Sequence, residues 1–212
     1  NTSHYECFDG RHGMSRKDDL QYRLQLLKNI TDRGLVIGGE RGTDWAMPVV
    51  AFCEGLSGGG TGYHRGVTYR TGITIPLFYL VYHESVVGYW QHGTPTGRED
   101  HANHILVDLL NAQPSSWSVE YDQWADLKHL IKETYELLSP LHTNTVHSAM
   151  TDHKILSDDY MVQKSAFDDG TVVWVNYGLI TYYSGNIGLP PKGFKIERDG
   201  KVVKSGSFSS HI

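Results

Sequence analysis

Residues 20–40 read LQYRLQLLKNITDRGLVIGGE, and this stretch decides the fold. Apolar residues recur at i, i+4, i+7 and i+10 from Leu20, which predicts an amphipathic helix with Ser15 as its N-cap. Gly34 ends the helix. The continuously apolar run at 35–37 is typical of a strand that is covered on both faces. A helix, a glycine and a buried strand in this order form half of a βαβ unit and predict a parallel sheet.

The next segments continue the α/β pattern. The apolar and aromatic run at 73–81 predicts a second buried strand, ending in Tyr82-His83-Glu84. Residues 99–110 and 120–138 are expected to be helices, and the second should stop at Ser139-Pro140. The apolar face predicted for that helix carries Trp124, Leu127, Ile131, Tyr135 and Leu138.

The pattern changes after about residue 155. Segments 161–166, 172–177 and 194–197 have strand composition and are separated by turn residues, which indicates an antiparallel all-β module. We therefore divide the chain into residues 1–155 and 156–212. The first part is too short for a complete eight-fold barrel of about 250 residues but fits its latter half. The fold class expected is α/β: the C-terminal half of a (β/α)8 TIM-type barrel followed by a small all-β sandwich-like module.

Composition excludes several classes of protein. The 212 residues carry 19 Lys+Arg and 24 Asp+Glu, a net charge of −5 without a basic cluster, so we expect no nucleic-acid partner. No apolar run reaches the ~18 residues of a membrane helix. Cys7 and Cys53 are too few for a disulfide framework or an all-cysteine zinc site, although they could form one bridge. The chain starts at Asn1 without a Met or a signal segment, so we expect it to be processed or cut from a longer protein.

Two glutamates follow predicted buried strands, Glu40 after 35–37 and Glu84 after 73–81. The carboxyl ends of parallel strands are where active sites of α/β proteins lie. A partly buried carboxylic acid there can keep its proton at neutral pH and deliver it to a leaving group. The alternatives are a solvated loop glutamate or, for Glu40, an ion pair with Arg41. His83 could equally be a hydrogen-bonded core histidine, and Trp45 could supply an apolar face for a sugar ring.

Sites for phosphate or metal are not indicated. The glycine-rich segment 55–62 lacks the Gly-Lys-Ser/Thr ending of a phosphate loop. His101, His104 and Asp108 share one face of a predicted helix, a pattern that a polar helix face also produces by accident. We predict no metal site and no cofactor in these residues. A structural calcium ion in the complete protein stays an open alternative, but no loop here has the alternating carboxylates that would locate it.

Several segments together carry a family resemblance: YECFDGRH (5–12), GLVIGGERGTDWAMP (34–48) and IPLFYLVYHE (75–84). They resemble the catalytic barrel of glycoside hydrolase family 129 and its bacterial relatives, which are akin to the family 101 endo-α-N-acetylgalactosaminidases. The similarity covers most of residues 4–95. Segments 161–178 and 189–194 resemble the β module that follows such barrels.

The resemblance implies a retaining α-glycosidase acting on α-linked N-acetylgalactosamine or a galactose-type sugar. In these families an Asp nucleophile ends the fourth barrel strand and a Glu acid/base ends the fifth. Glu40 matches the acid/base. The nucleophile belongs to an Asp-Val motif expected just before Asn1, so we expect these residues to be inactive without the missing N-terminal half of the barrel. The residues expected to contact the carbohydrate are Glu6, Asp9, His12, Asp44, Trp45, Tyr82, His83 and Glu84.

Two alternatives remain open from the sequence. The chain could come from a non-catalytic carbohydrate-binding relative that has lost its nucleophile. It could also be a retaining glycosidase that uses Glu40 and Glu84 as its carboxylate pair, which requires the two carboxyl groups to lie ~5 Å apart.

Overall fold

The computed structural model describes residues 6–40, 42–54, 75–91, 98–185 and 187–208. The helices in these ranges are α1 (Arg16–Thr31), α2 (Leu77–Tyr82), α3 (Arg98–Leu110) and α4 (Trp124–Thr145), with 3-10 turns at Asp44–Ala46 and Tyr121–Gln123. The strands are β1 (Gly38–Glu40), β2 (Phe52–Glu54), β3 (Val87–Gln91), β4 (Ser115–Ser116), β5 (Met150–Ile155), β6 (Val162–Phe167), β7 (Thr171–Asn176), β8 (Tyr182–Ser184), β9 (Ile187–Leu189), β10 (Gly193–Arg198) and β11 (Lys201–Ser207).

The first four strands form a parallel sheet in the order β1-β2-β3-β4. Gly38 lies beside Phe52, and Phe52 lies beside Val87, so the strands advance in chain order without a reversal. Trp90 pairs with Ser115 at the last junction. Helix α3 connects β3 to β4, as the crossover of a βαβ unit does. The parallel sheet predicted from residues 20–40 is therefore confirmed.

The first helix begins where its capping signal predicts. The Ser15 hydroxyl accepts a hydrogen bond from the Asp18 backbone N–H, and the Asp18 side chain accepts one from the Ser15 N–H. The predicted apolar stripe of α1 faces the protein, since it consists of four partly buried residues: Leu20, Leu24, Leu27 and Ile30. Gly34 follows the helix with a φ of +76°, a conformation that glycine adopts without strain.

The strand predicted at 35–37 is wrong in position. The strand is β1, Gly38–Glu40, and the side chains of Leu35 and Val36 are 59% and 73% exposed. In the described ranges β1 pairs only with β2, so one edge of this strand has no neighbour there. The apolar run at 35–37 is therefore not covered on both faces, which the prediction of a buried strand had required.

The strand predicted at 73–81 is also wrong. Residues 77–82 form helix α2, and 73–74 lie outside the described residues. Tyr79 and His83, four positions apart and therefore on one helical face, are both buried. A short, uniformly apolar run does not separate strand from helix, and the strand of the sheet follows later as β3.

Helix α4 does not stop at Pro140, as the sequence predicted, but continues to Thr145. Proline removes one backbone hydrogen bond, and burial of Leu137 and Leu141 on either side holds the helix together. The predicted apolar face is only partly right: Leu127 and Leu138 are buried, whereas Trp124 and Tyr135 are 55% and 68% exposed.

The second half of the chain forms an antiparallel sheet in the order β11-β10-β7-β6-β5. The three predicted strands correspond to β6, β7 and β10. The Asp199-Gly200 turn joins β10 to β11 with positive φ at both residues, the conformation that favours Asp-Gly in hairpins. Strand β5 lies in this sheet although it precedes the predicted boundary at residue 155, which stays a prediction.

The main core lies between the helices and this antiparallel sheet. Ile105, Leu106 and Leu109 of α3 pack with Val173 and Val175 of β7, and all five are essentially fully buried. On the other face of the sheet, Trp174 packs with Leu189 of β9, so the β8-β9 hairpin covers that side. Within the described ranges, none of the helices is both long and apolar enough to cross a bilayer.

Candidate functional site

Three residues are neighbours near the carboxyl ends of the parallel strands. Glu40 is the last residue of β1, Glu54 is the last residue of β2, and the two are register partners. Glu54 is in turn the register partner of Tyr89 in β3. Partners in adjacent parallel strands project to the same face about 5 Å apart. The carboxyl edge of the sheet therefore carries Glu40, Glu54 and Tyr89 side by side.

A second row lies two residues below the first on the same face. It contains Gly38, Phe52 and Val87. A Cβ atom built on Gly38 would lie within 2.1 Å of two ring atoms of Phe52, so the ring occupies the space that a side chain at 38 would fill. The Phe52 ring is 38% exposed and 6.4 Å from the Tyr89 ring. We call this face, made of both rows, the site face: Gly38, Glu40, Phe52, Glu54, Val87 and Tyr89.

The site face is electronegative. Burial raises the pKa of the Tyr89 phenol, and the neighbouring acidic groups of Glu54, Cys53 and Glu40 raise it further in that order. Tyr89 therefore keeps its proton at neutral pH and remains a hydrogen-bond donor beside the two carboxylates. Cys53 points to the opposite face, where burial chiefly raises the pKa of its thiol.

Trp45 and Tyr82 pack on the opposite face of the sheet. Both lie against the cluster that contains the buried Cys53 and Val86. Asp44 is exposed, and its carboxylate accepts a hydrogen bond of 2.9 Å from the Trp45 N–H at the start of a 3-10 turn. The structure thus brings these predicted sugar contacts together with each other, on the face away from Phe52, and their role in binding stays a prediction.

His83 is a buried core residue. Its Nδ1 lies 2.7 Å from the Ser148 carbonyl oxygen and its Nε2 lies 3.0 Å from that of Asn111. The ring packs 4.8 Å from that of Phe167. Both ring nitrogens are engaged by the backbone, so the structure supports the core-histidine alternative and not the pocket position.

Glu84 does not end a strand. It is exposed, in the turn after α2, and precedes the first residue of β3 by three positions. Glu40 lies at the carboxyl end of its strand, whereas Glu84 lies near the amino end of β3. The strand-end argument for Glu84 is therefore wrong, and the structure gives no support to a direct carboxylate pair of Glu40 and Glu84.

The remaining predicted contacts lie in the N-terminal turn that is bracketed by a bridge between Cys7 and Met14. Glu6, directly before this bridge, is exposed. Asp9 accepts hydrogen bonds from the Arg11 guanidinium, which holds the pKa of that carboxyl below its usual range. His12 lies 3.7 Å from the same carboxylate and 2.9 Å from the Cys7 sulfur. Asp9 is thus held by Arg11, and the sugar contacts predicted for this turn remain predictions.

The helical trio of His101, His104 and Asp108 lies on α3 and is buried. Gln113 donates a 2.6 Å hydrogen bond to the Asp108 carboxylate. In the part of the chain that the structure describes, no group of three His, Cys, Asp or Glu side chains is arranged to hold a metal ion.

The sequence reasoning missed Glu54 and Tyr89. The signal for Glu54 was present, because the apolar run VVAFC at 49–53 ends in Glu54 just as the run at 35–37 leads to Glu40. Their proximity was not visible, since register between strands depends on how the intervening segments pack.

One family of glycosyl hydrolases matches the chain. The sequence profile described as "Glycosyl hydrolases related to GH101 family, GH129" matches residues 61–166, half of the chain. No curated protein sequence matches the chain.

Solved structures of the α-N-acetylgalactosaminidase NagBb from Bifidobacterium bifidum are similar in fold. Its GalNAc complex matches with a TM-score of 0.68 and 26% identity, covering 83% of this chain and 28% of the NagBb chain. The ligand-free form matches with a TM-score of 0.65 and 25% identity, covering 81% and 27%. The present chain thus spans little more than a quarter of the length of the enzyme it resembles.

Proposed function

Because the chain belongs to the glycosyl hydrolases of family 129, related to family 101, we propose that it is the downstream part of a retaining α-glycosidase. The substrate proposed is an α-linked N-acetylgalactosamine, or a galactose-type sugar. The name of NagBb supports this choice, since that enzyme is an α-N-acetylgalactosaminidase. Glu40 is the proposed general acid/base.

The observation that carries the proposal is the place of Glu40 in the fold. It is the last residue of a parallel strand, it is exposed, and it shares its face with a second carboxylate and a phenol. Active sites of parallel α/β proteins lie at this edge.

In the proposed reaction, a carboxylate outside these 212 residues attacks the anomeric carbon while protonated Glu40 gives its proton to the departing glycosidic oxygen. The resulting Glu40 carboxylate then takes a proton from water, which attacks the glycosyl intermediate and releases the sugar with its configuration retained. Family resemblance assigns the attacking group to an aspartate that precedes Asn1.

We further propose that residues 1–155 are the C-terminal half of a (β/α)8 barrel and that residues 156–212 form its following β module. Four parallel strands in chain order, with α3 as a crossover, support the barrel half. The exposure of Leu35 and Val36 beside the strand edge of β1 supports packing of an N-terminal half there. The same half would be the partner required for turnover.

Glu40→Gln in the complete polypeptide that carries this chain tests the proposal. The variant removes the acid/base but keeps the shape, and we expect kcat/KM for an unactivated α-N-acetylgalactosaminide to fall by at least 100-fold. An activated aryl glycoside needs little protonation, so its first step should be nearly unaffected while its second step slows. Accumulation of the glycosyl intermediate measures this difference.

The matched control is Glu136→Gln, since Glu136 is an exposed glutamate on α4, far along the chain from the site face. It should retain wild-type rates. A Glu40→Gln enzyme that keeps more than a tenth of wild-type turnover on the unactivated substrate would show that Glu40 is not the acid/base.

A further inference from the structure

The site face offers more than the proposed acid/base. Glu54 is half-buried and its register partners on the two sides are Glu40 and Tyr89. Glu54 therefore lies between Glu40, the proposed acid/base, and the phenol of Tyr89. Nothing in the proposed reaction uses either of these two side chains.

An apolar surface lies directly below them. The Phe52 ring projects from the same strand face as Glu54, two residues earlier, and is 38% exposed. Because Gly38 has no side chain, the Phe52 ring can lie over β1, the strand that ends at Glu40. An exposed aromatic ring next to hydrogen-bonding groups is the combination that binds a sugar, whose C–H face is apolar and whose edge carries hydroxyls.

The polar groups are complementary to sugar hydroxyls. A glutamate carboxylate accepts two hydrogen bonds or more, and bonds to an ionised acceptor are about twice as strong as neutral ones. The phenol of Tyr89, whose pKa is raised, keeps its proton and can donate. Glu54 and Tyr89 are register partners on adjacent strands, so their backbones lie about 5 Å apart and both side chains project from the site face.

We infer that Glu54, with Tyr89 beside it and Phe52 below it, is a sugar-binding residue that holds the hydroxyl edge of the saccharide ring next to Glu40. This inference rests on the proposed function, because it assigns the substrate of that site. It concerns binding of the ring itself and not the protonation step.

The test is binding of free N-acetylgalactosamine to the complete polypeptide, measured by calorimetry in a Glu40→Gln background so that turnover does not interfere. Glu54→Gln keeps the shape of the side chain and removes its charge. We expect affinity to fall by about 10- to 100-fold, the loss of one to two charge-assisted hydrogen bonds. Tyr89→Phe should weaken binding by about 3- to 10-fold, and Glu136→Gln should leave it unchanged.

Kinetics supply a second readout in the otherwise wild-type enzyme. Loss of a contact that is equal in the ground and transition states raises KM and leaves kcat nearly constant, so Glu54→Gln should show mainly a KM effect. A fall in kcat alone, or wild-type affinity for the free sugar in both the Glu54→Gln and Tyr89→Phe variants, would overturn the inference. If Glu54→Gln does not fold, the affinity of the Tyr89→Phe variant for free N-acetylgalactosamine tests the inference instead.

Failure of the two proposals can be told apart. If Glu40→Gln remains active, the acid/base assignment is wrong whatever Glu54 does. If Glu40→Gln is inactive but binds the sugar, and Glu54→Gln binds it equally well, only the binding role of Glu54 is wrong.

Discussion

Replacing Lys192 with Met should loosen the antiparallel sheet from helix α3. Lys192 lies between β9 and β10 and is 3% exposed. Its Nζ donates a 2.6 Å hydrogen bond to the Tyr177 carbonyl oxygen and a 3.0 Å bond to Oδ1 of Asn103 on α3. Methionine keeps the apolar stem and adopts the same φ of +47° at a similar cost, so the substitution mainly removes the ammonium.

The expected loss follows from those two bonds. Hydrogen bonds from a charged donor contribute about 1.5–3 kcal/mol each, and their removal leaves the partner oxygens without this donor. Because burial of a charged ammonium costs desolvation energy, its removal offsets part of that loss. We therefore expect the free energy of unfolding to fall by about 2 kcal/mol.

Urea unfolding of the 212-residue chain, followed by tryptophan fluorescence and circular dichroism, measures this change. A double-mutant cycle with Asn103→Ala should give a coupling energy of about 1 kcal/mol or more, because the two residues share one hydrogen bond. Lys132→Met on α4 is the matched control. Its Nζ lies 3.6 Å from the Glu136 carboxylate, both side chains are exposed, and its loss should cost at most about 1 kcal/mol.

Wild-type stability of Lys192→Met, without coupling to Asn103, would contradict the role given to these two hydrogen bonds. A larger loss in Lys132→Met than in Lys192→Met would contradict it as well, since the buried hydrogen bonds would then contribute less than an exposed ion pair.

Two further predictions concern burial. Burial lowers the pKa of His83, His142 and His153, so the unfolded chain takes up protons first as pH falls below about 6.5. The melting temperature should fall from pH 7.5 to 5.0, because each histidine lowers the free energy of unfolding by up to about 1.4 kcal/mol per pH unit. A constant melting temperature over this range would contradict the prediction. Gly193→Ala would place a Cβ 2.5 Å from the Pro190 carbonyl oxygen, and should cost about 2–3 kcal/mol in urea unfolding. The control Gly39→Ala, which meets nothing within 4 Å, should change stability by under 0.5 kcal/mol.

Local signals in the sequence predicted local structure well. The capping box of Ser15 fixes the start of α1 because both of its hydrogen bonds form within four residues. The Asp199-Gly200 pair fixes a hairpin because it tolerates positive φ at both positions. Neither depends on what the rest of the chain does.

Segments that depend on distant packing were predicted less well. The run at 73–81 has no period that separates strand from helix, and its helical part is decided by burial of Tyr79 against α3 and the antiparallel sheet. Helix α4 passes through Pro140 because Leu141 beyond it belongs to the same core. These contacts are made by residues far apart in sequence, and no local pattern specifies them.

The candidate site was predicted in part for the same reason. Glu40 was found because a strand followed by a glutamate is a local pattern, although the strand itself lies three residues later than predicted. Glu54 and Tyr89 lie beside Glu40 because of the register between the strands, and this register is set by how the segments between the strands pack. The sequence left the place of His83 open because its two backbone partners, the carbonyl groups of Asn111 and Ser148, come from segments far along the chain.

The antiparallel sheet has a consequence for the site even though it is remote in sequence. Helix α3 joins the strand that carries Tyr89 to β4, and its residues Ile105, Leu106 and Leu109 are buried against that sheet. A tightly packed helix resists movement, because any shift opens cavities along its whole buried face. The sheet therefore limits movement of α3, the helix that follows the strand of Tyr89. Tyr79 of α2, the helix that precedes this strand, is buried in the same core. On this argument the second half of the chain supports the geometry of the site and is not an independent binding module, so its removal should disturb the row of Glu40, Glu54 and Tyr89.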